Sequence, residues 1–175
     1  MIALTNILVA TDFSEASEVA VTYGRVLAKA FGSRLHLLHV VPEALALPWA
    51  AVTDGASLQD LQRQWERESQ ERLRQELPEA LRADDRVLMV TRAGDPVRQI
   101  TDYARTEKVD LIVLGTHGRG FVAHVFLGSV AQNVIRHAPC PVLTVRHPQH
   151  EFVTEALSVH ASHAKSDAPP APVPA

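Results

Sequence analysis

Leu111-Ile112-Val113-Leu114-Gly115-Thr116-His117-Gly118-Arg119-Gly120, with nine residues separating Gly118 from Gly128-Ser129, is the stretch whose reading decides the fold. Its first four residues are leucine or β-branched, and the apolar run stops at Gly115. That pattern reads as a buried strand of a parallel sheet emptying into a loop. Glycines at 115 and 118 give the loop access to positive φ and let a ligand approach with no Cβ in the way. Beyond it, Val130, Ala131, Val134 and Ile135 recur at the spacing of one helix face, which puts Gly128-Ser129 at a helix start. Unpaired N–H groups and the positive end of the helix dipole gather there, beside the Ser129 hydroxyl, and these suit phosphate oxygens. A tight turn and an ordinary cap would each use the same residues singly. Their fixed order points to a ligand.

Outward from this stretch, strands and helices alternate. Asn6–Ala10 reads as a buried strand that runs through Thr11-Asp12-Phe13-Ser14 into a helix with Ala16, Val19, Ala20, Tyr23, Val26, Leu27 and Ala30 on one stripe. Ser14 or Asp12 caps that helix and Gly32 ends it. Leu35–Val41 is the next strand, with His36 and His39 packing or meeting solvent at its margins. A long helix from Ser57 carries Leu58, Leu61, Trp65, Leu73 and Leu77 near one face. Its charges, including Arg63, Arg67 and the Glu68 and Arg72 pair, mark a solvated face, and Pro78 ends it. After a strand at Arg86–Thr91, Asp95 and Pro96 open a helix with Val97, Ile100 and Ala104 inward. Val142–Val145 is the last strand. Five strands alternating with four helices call for an α/β fold, a parallel sheet covered on both faces.

Composition bounds the function. The 175 residues hold one domain, and the formal charge of −3 gives no electrostatic case for nucleic acid or an anionic membrane. No apolar run approaches the ~20 residues of a membrane span. The first residues lack the basic region of a signal peptide. Cys140 stands alone, which excludes an intramolecular disulfide and fits a reducing cytoplasm, where a buried inert thiol is expected. Residues 43–56, with Pro48, Trp49 and Gly55, read as a loop. Residues 148–175, rich in alanine and proline, read as a disordered tail after a domain of residues 1–147. The His147-x2-His150 and His160-x2-His163 spacings around it read as solvated histidines rather than a metal site.

Gly115-x2-Gly118-x9-Gly128-Ser129, with the Gly94-x-Pro96 step and the Cys140-Pro141-Val142-Leu143-x-Val145 ending, resembles the universal stress protein family in its ATP-binding branch, over about residues 4–147. The resemblance implies an open five-stranded sheet of order 3-2-1-4-5, as in adenine nucleotide alpha hydrolases. Ligands of such sheets bind beyond the strand ends where the order reverses. Here the reversal brings Thr11-Asp12 and Gly115 to one crevice. Residue by residue, the resemblance puts Asp12 beside the ribose or adenine and Val40 against the adenine through its backbone. Gly115 and Gly118 come close to the ribose and phosphates, and Gly128, Ser129, Val130 and Ala131 hold the phosphates. Ala131 stands where the family often has a hydroxyl, so one side-chain contact is lost there. Arg119 and His117 could add positive charge, or be solvated loop residues, and His124 has no assigned role. The implied cofactor is ATP, with or without Mg²⁺, and the implied assembly a homodimer through Val142–Val145.

The chain lacks a G-x-x-x-x-G-K-[ST] loop, a G-x-G-x-x-G after the first strand and a Ser-Gly-Gly-x-Asp-Ser turn. No carboxylate pair or lysine is spaced to hold Mg²⁺ and position an attacking water. A nucleotide-binding stress-response protein without dedicated catalysis is therefore the leading reading. The alternatives are a slow ATPase with Asp12 as its base, and a nucleotide-free adaptor using the 43–56 loop and the tail.

Overall fold

The computed structural model describes residues 3–43, 57–116 and 127–146. β1 (Asn6–Thr11) lies at the centre, with Ile7, Leu8 and Val9 fully buried. Burying each such side chain is worth roughly 1.5–3 kcal/mol. α1 (Glu15–Phe31) starts at a capping box in which Ser14 and Ser17 satisfy each other's backbone N–H groups, and ends on Gly32 at φ 67°. β2 (Arg34–Val41) follows, then α2 (Leu58–Gln75) capped by Ser57. A short α3 (Glu79–Arg82) after Pro78 adds a helix to the four expected. β3 (Val87–Ala93) starts one residue later and runs two residues further than the sequence suggests. α4 (Pro96–Thr106) opens on Asp95, whose carboxylate accepts the Arg98 N–H, with Pro96 in its first turn. β4 (Leu111–Gly115), α5 (Ser129–His137) and β5 (Val142–Val145) complete the chain.

The five strands form one sheet in the order β3-β2-β1-β4-β5, every pair parallel. Side chains alternate along each strand. Ile7 and Val9 therefore join Leu35, Leu37 and Val113 under α1 and α2, with Leu73 and Leu77 closing that layer. Leu8, Leu38, Ile112 and Leu114 join Ile100, Tyr103, Ala104, Ala131 and Val134 of α4 and α5 on the other face. The order reverses between β1 and β4, and the crevice at their carboxyl ends opens on the α4/α5 face.

Four expectations need correction. Gly115 is not at positive φ, a conformation held among the described glycines by Gly32 and Gly94. Its missing Cβ has a packing cause instead: a Cβ there would lie 2.7 Å from the Ala16 carbonyl carbon, so α1 can cross β4 only over a glycine. His36 is not marginal. It is buried against α4, with Nδ1 2.8 Å from the Tyr103 hydroxyl, and burial pushes its pKa below 6.5. Arg72 does not pair with Glu68, which instead accepts from Gln64; its guanidinium lies over the Phe13 ring. Of the α5 stripe, Ala131 and Val134 are buried, while Val130 and Ile135 are exposed.

Candidate functional site

A cavity of about 340 Å³ occupies the β1/β4 crevice, within the size range of ligand clefts. Ala10, Leu38, Val40, Leu114 and Ile100 form its apolar walls, and Asp12, Ser17, Thr116 and the start of α5 its polar end. Of the positions singled out in the sequence, Thr11, Asp12, Val40, Gly115, Gly128, Ser129, Val130 and Ala131 all line this one space. Residues 11, 40, 115 and 128–131 are far apart in the chain, and the parallel topology joins them. Gly118, Arg119, His117 and His124 lie outside the described residues, as do the 43–56 loop apart from Glu43 at its edge and the tail.

The turn leaving β1 is densely hydrogen-bonded. Asp12 Oδ1 accepts the Ser14 N–H at 3.2 Å and the Ser14 hydroxyl at 2.6 Å. Thr11 is buried, and its Oγ1 accepts the Phe13 N–H at 3.0 Å and lies 3.0 Å from Ser17 Oγ. The Thr11 hydroxyl is thus engaged by its own turn. Asp12 is the only charged residue lining the cavity among the described residues. One carboxylate between apolar walls can accept hydrogens from a sugar hydroxyl or a base amino group.

The start of α5 contributes backbone to the same lining. α5 has Gly128 as N-cap and no side-chain cap hydrogen bond, whereas α1, α2 and α4 are capped by Ser14, Ser57 and Asp95. The Gly128 N–H already donates to the Thr116 carbonyl at 2.6 Å, so it is not available to a ligand. The first-turn N–H groups of Ser129, Val130 and Ala131 have no acceptor within the helix. Three backbone donors at the positive end of a helix dipole suit an anion. Val130, though exposed as a side chain, contributes through this backbone, and Ala131 contributes its N–H with no hydroxyl.

Several lining residues were not singled out in the sequence: Ala10, Ser17, Leu38, Pro96, Ile100, Leu114 and Thr116. A period-two signal marks some of them, because Leu8 and Ala10 on β1, four and two residues before Asp12, and Leu38 and Val40 on β2 follow the alternation of a strand face. Ser17 and Thr116 carried no such signal. Among the described residues no group of three His, Cys, Asp or Glu could hold a metal. Cys140 is partly buried, and burial followed by the charge of Asp110 pushes its thiol pKa up, which suits an unreactive thiol. No described helix is long and apolar enough to cross a membrane.

Comparison with known proteins bears on the same region. A model described as the universal stress protein family matches residues 4–146. A Thermus aquaticus protein, named for a universal stress protein in a QAH/OAS sulfhydrylase 3′ region, is 36% identical over 144 residues, covering 81% of this chain and 98% of its own. Among solved structures, UspA from Lactobacillus plantarum superposes with a TM-score of 0.66 at 28% identity, covering 83% of this chain and 100% of its own. The structure of MJ0577 gives 0.66 at 29% identity, covering 85% and 100%. With the sheet order, the reversal-point cavity and a family match over most of its length, the chain belongs to the universal stress protein family.

Proposed function

We propose that the chain binds ATP, with or without Mg²⁺, and uses occupancy of the β1/β4 cavity as a signal, as a homodimer. One observation carries the reading. A single cavity combines apolar walls, one carboxylate among its described lining residues and an uncapped helix start. Such a space matches a molecule with a flat, weakly polar ring, hydroxyls and a phosphate chain. Two solved proteins of this fold, 24% and 20% identical to the chain, hold cAMP and dAMP respectively. At that distance they share the fold, and the nucleotides are theirs. The ATP reading rests on this chain's own cavity and on the glycine motif.

Binding without turnover is favoured because Asp12 is the one carboxylate among the described lining residues, with no second carboxylate or lysine beside it to hold Mg²⁺ and position an attacking water. Cytoplasmic residence and a role in stress signalling complete the proposal. Calorimetric titration with ATP tests it: saturable heat with Kd below millimolar is expected, with weaker binding in Gly118→Val. Absence of binding in that range, or equal binding by the variant, rejects it.

A further inference from the structure

We propose that Phe13 is a positioning residue for this cavity and that Arg72 clamps it from α2, so that α2 responds to occupancy on the far side of the sheet. What the cavity holds rests on the nucleotide reading above; the clamp is a property of the chain without ligand.

Phe13 sits at φ 62°, one of two non-glycine residues at positive φ among those described. An aromatic side chain adopts that region only where its surroundings impose it. Three contacts do so. The Phe13 N–H is held by Thr11 Oγ1. The ring lies 4.3 Å from the His39 ring, centroid to centroid, and the Arg72 guanidinium carbon sits 4.0 Å from the same centroid. His39 is fixed in turn, because its Nδ1 lies 2.7 Å from the Thr11 carbonyl oxygen and must therefore be the protonated nitrogen.

Strain at this residue matters because of where it sends its neighbours. Asp12 lines the cavity on the α4/α5 face, while Phe13 packs against the core under α1 and α2. The reversal at Phe13 brings the Ser14 N–H and hydroxyl onto Asp12 Oδ1. Releasing the ring would let the turn relax and the carboxylate wander. Arg72 belongs to α2, which contributes nothing to the cavity lining. The two sides are also linked through charge: Glu76, one turn beyond Arg72, has its carboxyl pushed up by burial, then by Glu18, and also by Asp12. A ligand that fixes Asp12 favours the clamped turn, and by reciprocity a firm clamp favours the ligand.

Hydrogen-exchange mass spectrometry on full-length wild type, Arg72→Met, Arg72→Lys and the same-helix control Arg67→Met tests this. Without ligand, Arg72→Met should exchange faster over residues 13–17, Arg72→Lys should restore much of the protection, and Arg67→Met should match wild type. With ATP, wild type should gain protection around residue 72, and Arg72→Met should lose that gain and bind about two- to fivefold more weakly, the size of an exposed cation–π contact. Phe13→Gly, which accepts the φ angle but has no ring, should weaken binding at least as much, whereas Phe13→Tyr should not. Ligand-free Arg72→Met exchanging like wild type over 13–17, or Phe13→Gly binding ATP as tightly as wild type, overturns the proposal. If wild type takes up no ATP, the nucleotide reading fails and the ligand-free comparison still decides the clamp.

Discussion

Glu76 ends α2 at a point where burial, then the charge of Glu18, push its carboxyl up to about 7, with Arg72 opposing and Asp12 adding to the shift. A negative charge at a helix C-terminus is also disfavoured by the dipole. The folded pKa lies above the unfolded 4.5, so this contribution to stability is fully present below pH 4.5 and is lost as pH rises through about 7. For a carboxylate still partly open to water, the loss is about 1–2 kcal/mol. Glu76→Gln should therefore be more stable than wild type at pH 8 and close to it at pH 4.5, measured by urea midpoints. Equal pH dependence in the two proteins would remove this account. Nothing in the sequence marks Glu76, because in a charge-rich helix every Glu looks solvated. Its burial is a tertiary fact, and the same holds for Arg72 over Phe13.

α5 differs from its neighbours in lacking a cap, and that difference separates stability from binding. Gly128 has φ −63° and ψ 152°, an N-cap conformation open to any residue. Gly128→Asp would supply a carboxylate to the Ser129–Ala131 donors. The ligand-free protein should gain from a few tenths to about 1 kcal/mol, seen as a raised Tm, while ATP binding weakens at least tenfold. A variant in which both properties fall together would point to a misfolded cap rather than an occupied anion site. Element boundaries were largely legible because their signals are local: Ser14, Ser57 and Asp95 at N-caps, Gly32 at a C-cap, and apolar runs for the strands. The role of Gly115 was not, since a glycine required by a crossing helix and one required by a turn are the same letter. Val130 and Ile135 misled for a related reason. The helical period gives a stripe, but its width depends on the neighbours, and α5 is covered only along Ala131 and Val134.

For the molecule as a whole, β5 is an edge strand with one side unpaired among the described residues. The Pro141 and Val145 carbonyls accept bonds from Ile112 and Thr116 of the β4 strand and its exit, so alternate residues, including Thr144, turn their backbone outward. An open apolar edge invites pairing with a second copy. Wild type should sediment as a dimer, and Thr144→Pro, which removes an outward N–H while sparing the β4 ladder, should sediment as a folded monomer. A monomeric wild type, or a Thr144→Pro dimer of unchanged affinity, would contradict this. Sheet order was legible only through the family resemblance, because periodicity cannot tell which parallel strands are neighbours. The cavity inherits that dependence, since Asp12, Val40 and Ser129 meet only if β1 lies between β2 and β4. The central claim is that this cavity receives an adenine nucleotide. Amide NMR shifts followed during ATP titration test it most directly. The account predicts saturating shifts concentrated at Asp12, Val40, Gly115 and Ser129–Ala131; absent shifts at millimolar ATP, or shifts confined to other surfaces, would contradict it.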